Sequence, residues 1–180
     1  MKALIVYESM YGNTHLVANA VAEGLRESPQ FDQVTVVPVD EATLELVKDS
    51  DLLVVGGPTH AHGMSHTGTR KAAVDAAHKP DSALQLDPDA EGPGLREWLT
   101  ALGRVTGRAA AFDTRFKAPP VLTGRAGVGI AKRLRHHGFT MVTPPESFFV
   151  DKATHLDADA LSSARQWGAT LARTTALSAV

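Results

Sequence analysis

Ala3-Leu4-Ile5-Val6-Tyr7-Glu8-Ser9-Met10-Tyr11-Gly12-Asn13-Thr14 is the stretch that decides the fold. Its first five residues are apolar without a break, which suits a strand covered on both faces rather than one. The second half changes to hydroxyl, amide and glycine residues and runs into Thr14 to Arg26. There Leu16, Val17, Ala20, Val21, Gly24 and Leu25 recur at helical spacing, with Asn19, Glu23 and Glu27 off the stripe. Strand, glycine-containing turn and helix, in that order, aim backbone N–H groups outward at a helix N-terminus, where the dipole favours an anion. Ser9 and Thr14 add hydroxyls, Asn13 adds an amide, and Gly12 lets a ligand come close to the backbone. The loop has no lysine and no G-x-G-x-x-G, so it is neither a Walker A loop nor a dinucleotide fingerprint. On the residues alone, Ser9 or Asn13 could equally cap the helix, with Gly12 merely turning the chain.

Outward from this unit the same alternation repeats. Apolar runs at Val34 to Val37 and Leu52 to Val55 predict two more buried strands. Weaker runs follow at Arg108 to Phe112 and Phe139 to Val142. The last is broken by Thr143-Pro144-Pro145, and Ser147 to Val150 is placed to resume it on the same edge. Helical spacing predicts helices over Thr43 to Lys48, Leu95 to Leu102, Arg125 to His137 and Asp157 to Leu171. The third of these ends in cations and Gly138, and the last turns Leu161, Ala164, Trp167, Gly168 and Leu171 inward. Regular β-α alternation implies an α/β fold with an open, doubly wound parallel sheet. Ligands on such a sheet bind beyond the carboxyl ends of the strands where strand order reverses. The loops to inspect therefore follow Tyr7, Gly57 and Phe112.

At 180 residues the chain suits a single domain. Met64 to Pro93 is too long for a tight connection and is read as an inserted functional loop, with a short helix over Thr67 to Ala77. A net charge of -2 argues against a nucleic-acid partner or an anionic membrane surface. Zero cysteines remove disulfides, thiolate metal sites, iron–sulfur clusters and cysteine nucleophiles. No apolar stretch approaches a signal core or a membrane span, so a cytoplasmic location is expected.

The turn Ser9-Met10-Tyr11-Gly12-Asn13-Thr14 resembles the phosphate loop of flavodoxins, and its Ser-Met-Tyr-Gly form is similar to that of flavodoxin-like NAD(P)H:quinone oxidoreductases. The resemblance implies the flavodoxin-like fold, a five-stranded sheet in the order 2-1-3-4-5. It also implies FMN, with its phosphate held by Ser9 to Thr14 through neutral donors. Tyr11 departs from the threonine common in flavodoxins. Pro58, Thr59 and Gly63 resemble the quinone-reductase form of the loop that wraps one face of the flavin ring, which brings His60, Ala61 and His62 into the expected site. His60, His62 and His66 also have a spacing that zinc could use, but no acidic residue or cysteine follows closely. No metal site is assigned.

The third loop, Asp113, Thr114, Arg115 and Phe116, stands where the family meets the pyrimidine edge of the ring; Phe116 is its aromatic. Read alone, Asp113 and Arg115 would form a surface ion pair. His60, His62, Arg70 and Arg115 would place positive charge around the ring and raise the flavin potential above that of acidic flavodoxins. No catalytic side chain is required, because the flavin carries the electrons. The implied partner is a redox protein, or a nicotinamide and a quinone-type small molecule. Oligomeric state is not legible. A flavin-free binding module is a third class. A response-regulator receiver is excluded, since Gly56-Gly57 replaces the phosphoacceptor aspartate at the end of the third run.

Overall fold

Uninterrupted apolar strands require cover on both faces, and the helices supply it. A computed structural model describes residues 1–60 and 63–177. The first unit is β1 (Lys2–Tyr7) and α1 (Asn13–Arg26), followed by β2 (Gln33–Pro38), α2 (Leu44–Asp49) and β3 (Leu52–His60). A short β4 (Gly63–Met64) folds back antiparallel on β3, and α3 (Thr67–Ala77) and α4 (Leu95–Ala101) follow. The chain continues through β5 (Gly107–Phe116), α5 (Pro120–Thr123), α6 (Ala126–His137), β6 (Phe139–Met141), β7 (Glu146–Val150) and α7 (Ala160–Leu177). Sheet order is β2-β1-β3-β5-β6, all parallel, with β7 also on β5. That is the expected order, with the fifth strand in two pieces. β6 pairs with Gly107 to Ala109, and β7 resumes the same edge from Phe112 to Phe116 after the Thr143-Pro144-Pro145 break.

One face of the sheet packs Leu4, Val6, Leu53 and Val55 against Leu95 and Leu99 of α4 and Ile130 and Leu134 of α6. The other packs Ile5, Val54, Ala110 and Phe112 against Val17 and Val21 of α1 and Trp167 and Leu171 of α7. Three details differ from the sequence expectation. Leu16 and Leu161 are 51% and 40% exposed, because Ala18 and Ala22 of α1 and Ala160 and Ala164 of α7 occupy the inward arcs instead. β5 does not end at Phe112 but runs to Phe116, since β7 gives its second half a partner. α7 begins at Ala160 rather than Asp157, because the antiparallel bridge between Leu156 and Val150, with the Asp157 N–H bond to Phe149 O at 2.9 Å, keeps the chain just before it extended along β7. The helix expected over Thr67 to Ala77 is present with those bounds. Among the described residues no helix is long and apolar enough to cross a membrane.

Order reverses between β1 and β3, so the C-terminal ends of these strands flank the crevice where this topology binds ligands; flavodoxins are themselves a type case of that rule. α1 and α7 cross very closely. A Cβ on Gly24 would lie 1.9 Å from Arg165 O, and one on Gly168 would lie 2.2 Å from Val21 O. Backbone meets backbone there, so neither can yield. Gly24→Ala is therefore expected to destabilise the protein by about 1–3 kcal/mol through overpacking, against a helix-propensity gain of about 1 kcal/mol for an uncrowded site. Urea unfolding measures the balance, and a net gain in stability would contradict the tight crossing.

Candidate functional site

Of α1, α2, α3, α4 and α6, the first helix alone has no side-chain acceptor, among the described residues, for the N–H groups of its first turn beyond the N-cap. Thr43 caps α2 through Leu46 N–H at 3.3 Å, and His66 caps α3 in a reciprocal box with Thr69. The ends of α4 and α6 are capped from the sheet. Buried Glu8, just past β1, accepts from Leu95 N–H at 2.8 Å and from the Ser65 hydroxyl. Thr59 Oγ1 accepts from Ala126 N–H at 3.0 Å, and Asp113 Oδ2 accepts from Gly127 N–H at 2.7 Å. α1 has neither a capping side chain nor an acid in its first turn, and its N-cap Gly12 sits in the left-handed region at φ 85°. An uncapped helix end of this kind is ready for an anion.

Beside it opens a cavity of about 390 Å³, within the range of about 300–1,000 Å³ usual for small-molecule sites. Ser9, Met10, Tyr11, Asn13 and Thr14 line one end, Pro58, Thr59 and His60 a second wall, and Thr114, Arg115 and Phe116 a third. The three sequence-predicted loops thus converge. Their side chains are held from within: Ser9 Oγ accepts from Gly12 N–H at 3.1 Å, Tyr11 donates to Ala73 O at 3.0 Å, and the hydroxyls of Thr14 and Thr114 bond at 2.8 Å. Met10 is buried with Ala73 and Ala90. Gly12 and Gly63 do not line the cavity; Gly12 is the helix cap and Gly63 pairs with His60 in the β3–β4 ladder. Ala61 and His62 lie outside the described residues.

Two residues behave differently from their sequence reading. Asp113 and Arg115 are buried, not a surface pair, because β5 carries them inward on the face toward α6. Asp113 is turned away from the cavity to cap α6. Burial pushes its carboxyl above the usual range, against the opposing pull of Gly127 N–H, Ser147, Arg115 and Arg125. Arg115 donates to Ala118 O at 2.8 Å and Thr123 Oγ1 at 3.0 Å, and its guanidinium lies 4.7 Å from the Phe149 ring centroid. Sequence reasoning also missed one whole wall, made of Thr69, Ala72, Ala73 and Ala76 of α3, and the contributions of Val150 and Thr154. No local pattern marks Thr154. It is held at φ 64°, and its carbonyl accepts from Asn13 Nδ2 at 2.6 Å.

The expected ring of positive charge is largely dissolved. Arg70 pairs with Glu97 at 3.1 Å. His60 Nε2 is buried with no hydrogen-bond partner among the described residues. Burial, then His66 and Arg70, lower its pKa. His66 is a helix cap rather than a metal ligand. Among the described residues Arg115 is the cation that remains on the lining; His62 lies outside them.

Residues 5–112, well over half the chain, match the flavodoxin family profile. The chain belongs to the flavodoxin family. A flavodoxin of Aquifex aeolicus is 46% identical over 59 residues, 33% of this chain and 31% of that protein. An NAD(P)H dehydrogenase (quinone) of Geobacter sulfurreducens is 33% identical over 99 residues, 42% of this chain and 48% of that protein. The chain thus spans under half the length of either curated relative. A solved flavodoxin from the domain Archaea superposes with a TM-score of 0.65 at 22% identity, covering 98% of this chain and 99% of that one. FMN is the cofactor of this flavodoxin, and the site fits it: an uncapped helix end for the phosphate, and a largely apolar cavity beside it for the ring.

Asn13→Asp places an acid in the first turn of α1 with almost no change of shape. The change also removes the Asn13 Nδ2 donation to Thr154 O, which bears on any flavin; FMN affinity is therefore expected to fall about tenfold or more beyond the loss seen with riboflavin, which lacks the phosphate that the new charge opposes. Equal losses for both ligands in fluorescence titrations would argue against this placement. Because His60 has its pKa lowered in the folded chain, the native state takes up fewer protons than the unfolded one below the ordinary value of 6.5. Its stability contribution is full above that pH and is lost as pH falls toward the folded pKa. In flavin-free protein, His60→Gln is expected to flatten that part of the pH–stability curve, and an NMR titration of the wild-type ring should give a midpoint below 6.5.

Proposed function

We propose that this flavodoxin carries electrons between partner proteins. The observation that carries the reading is the rim of the cavity. Phe116 lines it and is 48% exposed, and the segment beyond leaves Val121 and Leu122 84% and 65% exposed. Arg115 pins that segment in place through Ala118 and Thr123. An apolar patch at the mouth of a redox site suits transient docking of another protein.

In this role the chain has no proton-shuttling side chain to supply. FMN, when bound, provides the centre that takes up and releases electrons. The α1 amides hold the phosphate end, and the walls formed by Pro58, Thr59 and His60 and by Phe116 restrict water at the ring. His60, disfavoured as a cation, adds little positive charge there.

A second reading is a reductase that takes hydride directly from a nicotinamide and reduces quinone-type molecules. It is favoured by the name of the Geobacter sulfurreducens relative and by the apolar α3 wall, Ala72, Ala73 and Ala76, which could receive a flat acceptor. Stopped-flow mixing of the FMN-loaded protein with NADH and with NADPH separates the two. A carrier shows no rapid bleaching of the flavin band, yet after photochemical reduction it passes electrons to a protein acceptor. Rapid direct bleaching by either nucleotide overturns the carrier reading in favour of the reductase.

A further inference from the structure

Beside the loop that joins β1 to α1 and outside the cavity lining, His15, Asp87 and Asp89 bring one ring nitrogen and two carboxylate oxygens within 4.8 Å of one another. They come from separate parts of the chain, His15 from the first turn of α1 and the aspartates from the irregular segment before α4. Each is held by further contacts. Asp87 N–H donates to Met10 O at 2.9 Å, and Asp89 N–H donates to Asp87 Oδ1 at 3.2 Å. Tyr7 donates to Asp89 Oδ2 at 3.0 Å, and its ring stacks on His15 with centroids 4.4 Å apart. None of the three ligands lines the flavin cavity.

The charge on this cluster is not balanced by the protein. The Asp87 side chain is 1% exposed, yet its ionic partner is His15 at 3.2 Å, and among the described residues no lysine or arginine pairs with Asp87 or Asp89. A buried carboxylate with a second one beside it is unfavourable unless a cation joins them.

We propose that His15, Asp87 and Asp89 form a binding site for a divalent transition-metal ion. One imidazole nitrogen and two carboxylates match the donor preference of Mn²⁺ and its neighbours, whereas Ca²⁺ and Mg²⁺ favour all-oxygen shells. Ligand atoms at roughly 2.0–2.2 Å from a metal lie about 3–4.4 Å apart, so closing the present cluster needs only a small side-chain adjustment. The ion would neutralise Asp87, whose Oδ2 lies 3.8 Å from where a Cβ on Gly12 would stand, beside the uncapped end of α1.

The full-length protein titrated with MnCl₂ tests the site by calorimetry and by paramagnetic broadening of histidine ring signals. Mn²⁺ serves better than Zn²⁺ because isolated surface histidines hold it weakly. The expected result is one ion per chain, broadening of His15 first, and binding weakened about tenfold or more by His15→Gln and by Asp89→Asn. Both substitutions lie at partly exposed positions and nearly preserve size, and circular dichroism verifies their fold. Absent binding, unchanged binding in both variants, or broadening centred on His60 and His66 or on His136 and His137 overturns the site. Neither readout requires flavin, so failure here is distinct from failure of the electron-carrier reading.

Discussion

The donors at the start of each helix set the terms for this end of the molecule. A helix leaves its first N–H groups without intrahelical acceptors, and burying them unpaired is unfavourable. Here the strands meet that demand: Glu8 past β1 serves α4, while Thr59 of β3 and Asp113 of β5 serve α6. These bonds fix where both helices begin, and so where the walls of the cavity stand. Among α1, α2, α3, α4 and α6, α1 alone shows no side-chain cap among the described residues, which is why its end is proposed for the phosphate. The same physical requirement therefore produces scaffold at two positions and leaves donors free at a third.

Packing turns that local requirement into a cavity of definite shape. Gly24 and Gly168 let α1 and α7 approach to backbone contact near the C-terminal end of α1, and both helices pack on the same face of the sheet. α3 then closes the opposite wall, tied to the phosphate loop by the Tyr11–Ala73 bond and by Met10 packed on Ala73. Charge is managed with similar economy. Glu97 matches Arg70, burial disfavours protonated His60, and Asp113 and Arg115 face each other inside the protein at 4.0 Å. Of the four cations the sequence suggested, His62 lies outside the described residues, and among the other three the fold leaves Arg115 as the charged group on the lining.

Much of the architecture was legible because the relevant signals are short-range. Apolar runs such as Ala3 to Tyr7 announce buried parallel strands, and the interruption at Thr143-Pro144-Pro145 announced the split in the last one. The Lys132 to Gly138 pattern placed the end of α6 where it stands. The misjudged limits have tertiary causes: β5 is lengthened by β7, α7 is shortened by the bridge that holds Leu156 extended beside Val150, and Leu16 is displaced from the interior by small alanines.

By itself the sequence determined the α/β order, the glycine-turned loop at the first helix, and the three chain segments that meet at the cavity. A strand's burial and a helix's dipole follow from residues close in the chain, so these could be read directly. Only the tertiary structure decided what each polar side chain does there. Thr59 and Asp113 cap a helix some 67 and 14 residues onward, Thr154 meets Asn13 from 141 residues away, and His15 faces two aspartates 72 and 74 residues on. A side chain's hydrogen-bond partner is chosen by proximity in space, and no local pattern encodes which distant donor or acceptor the fold will bring to it.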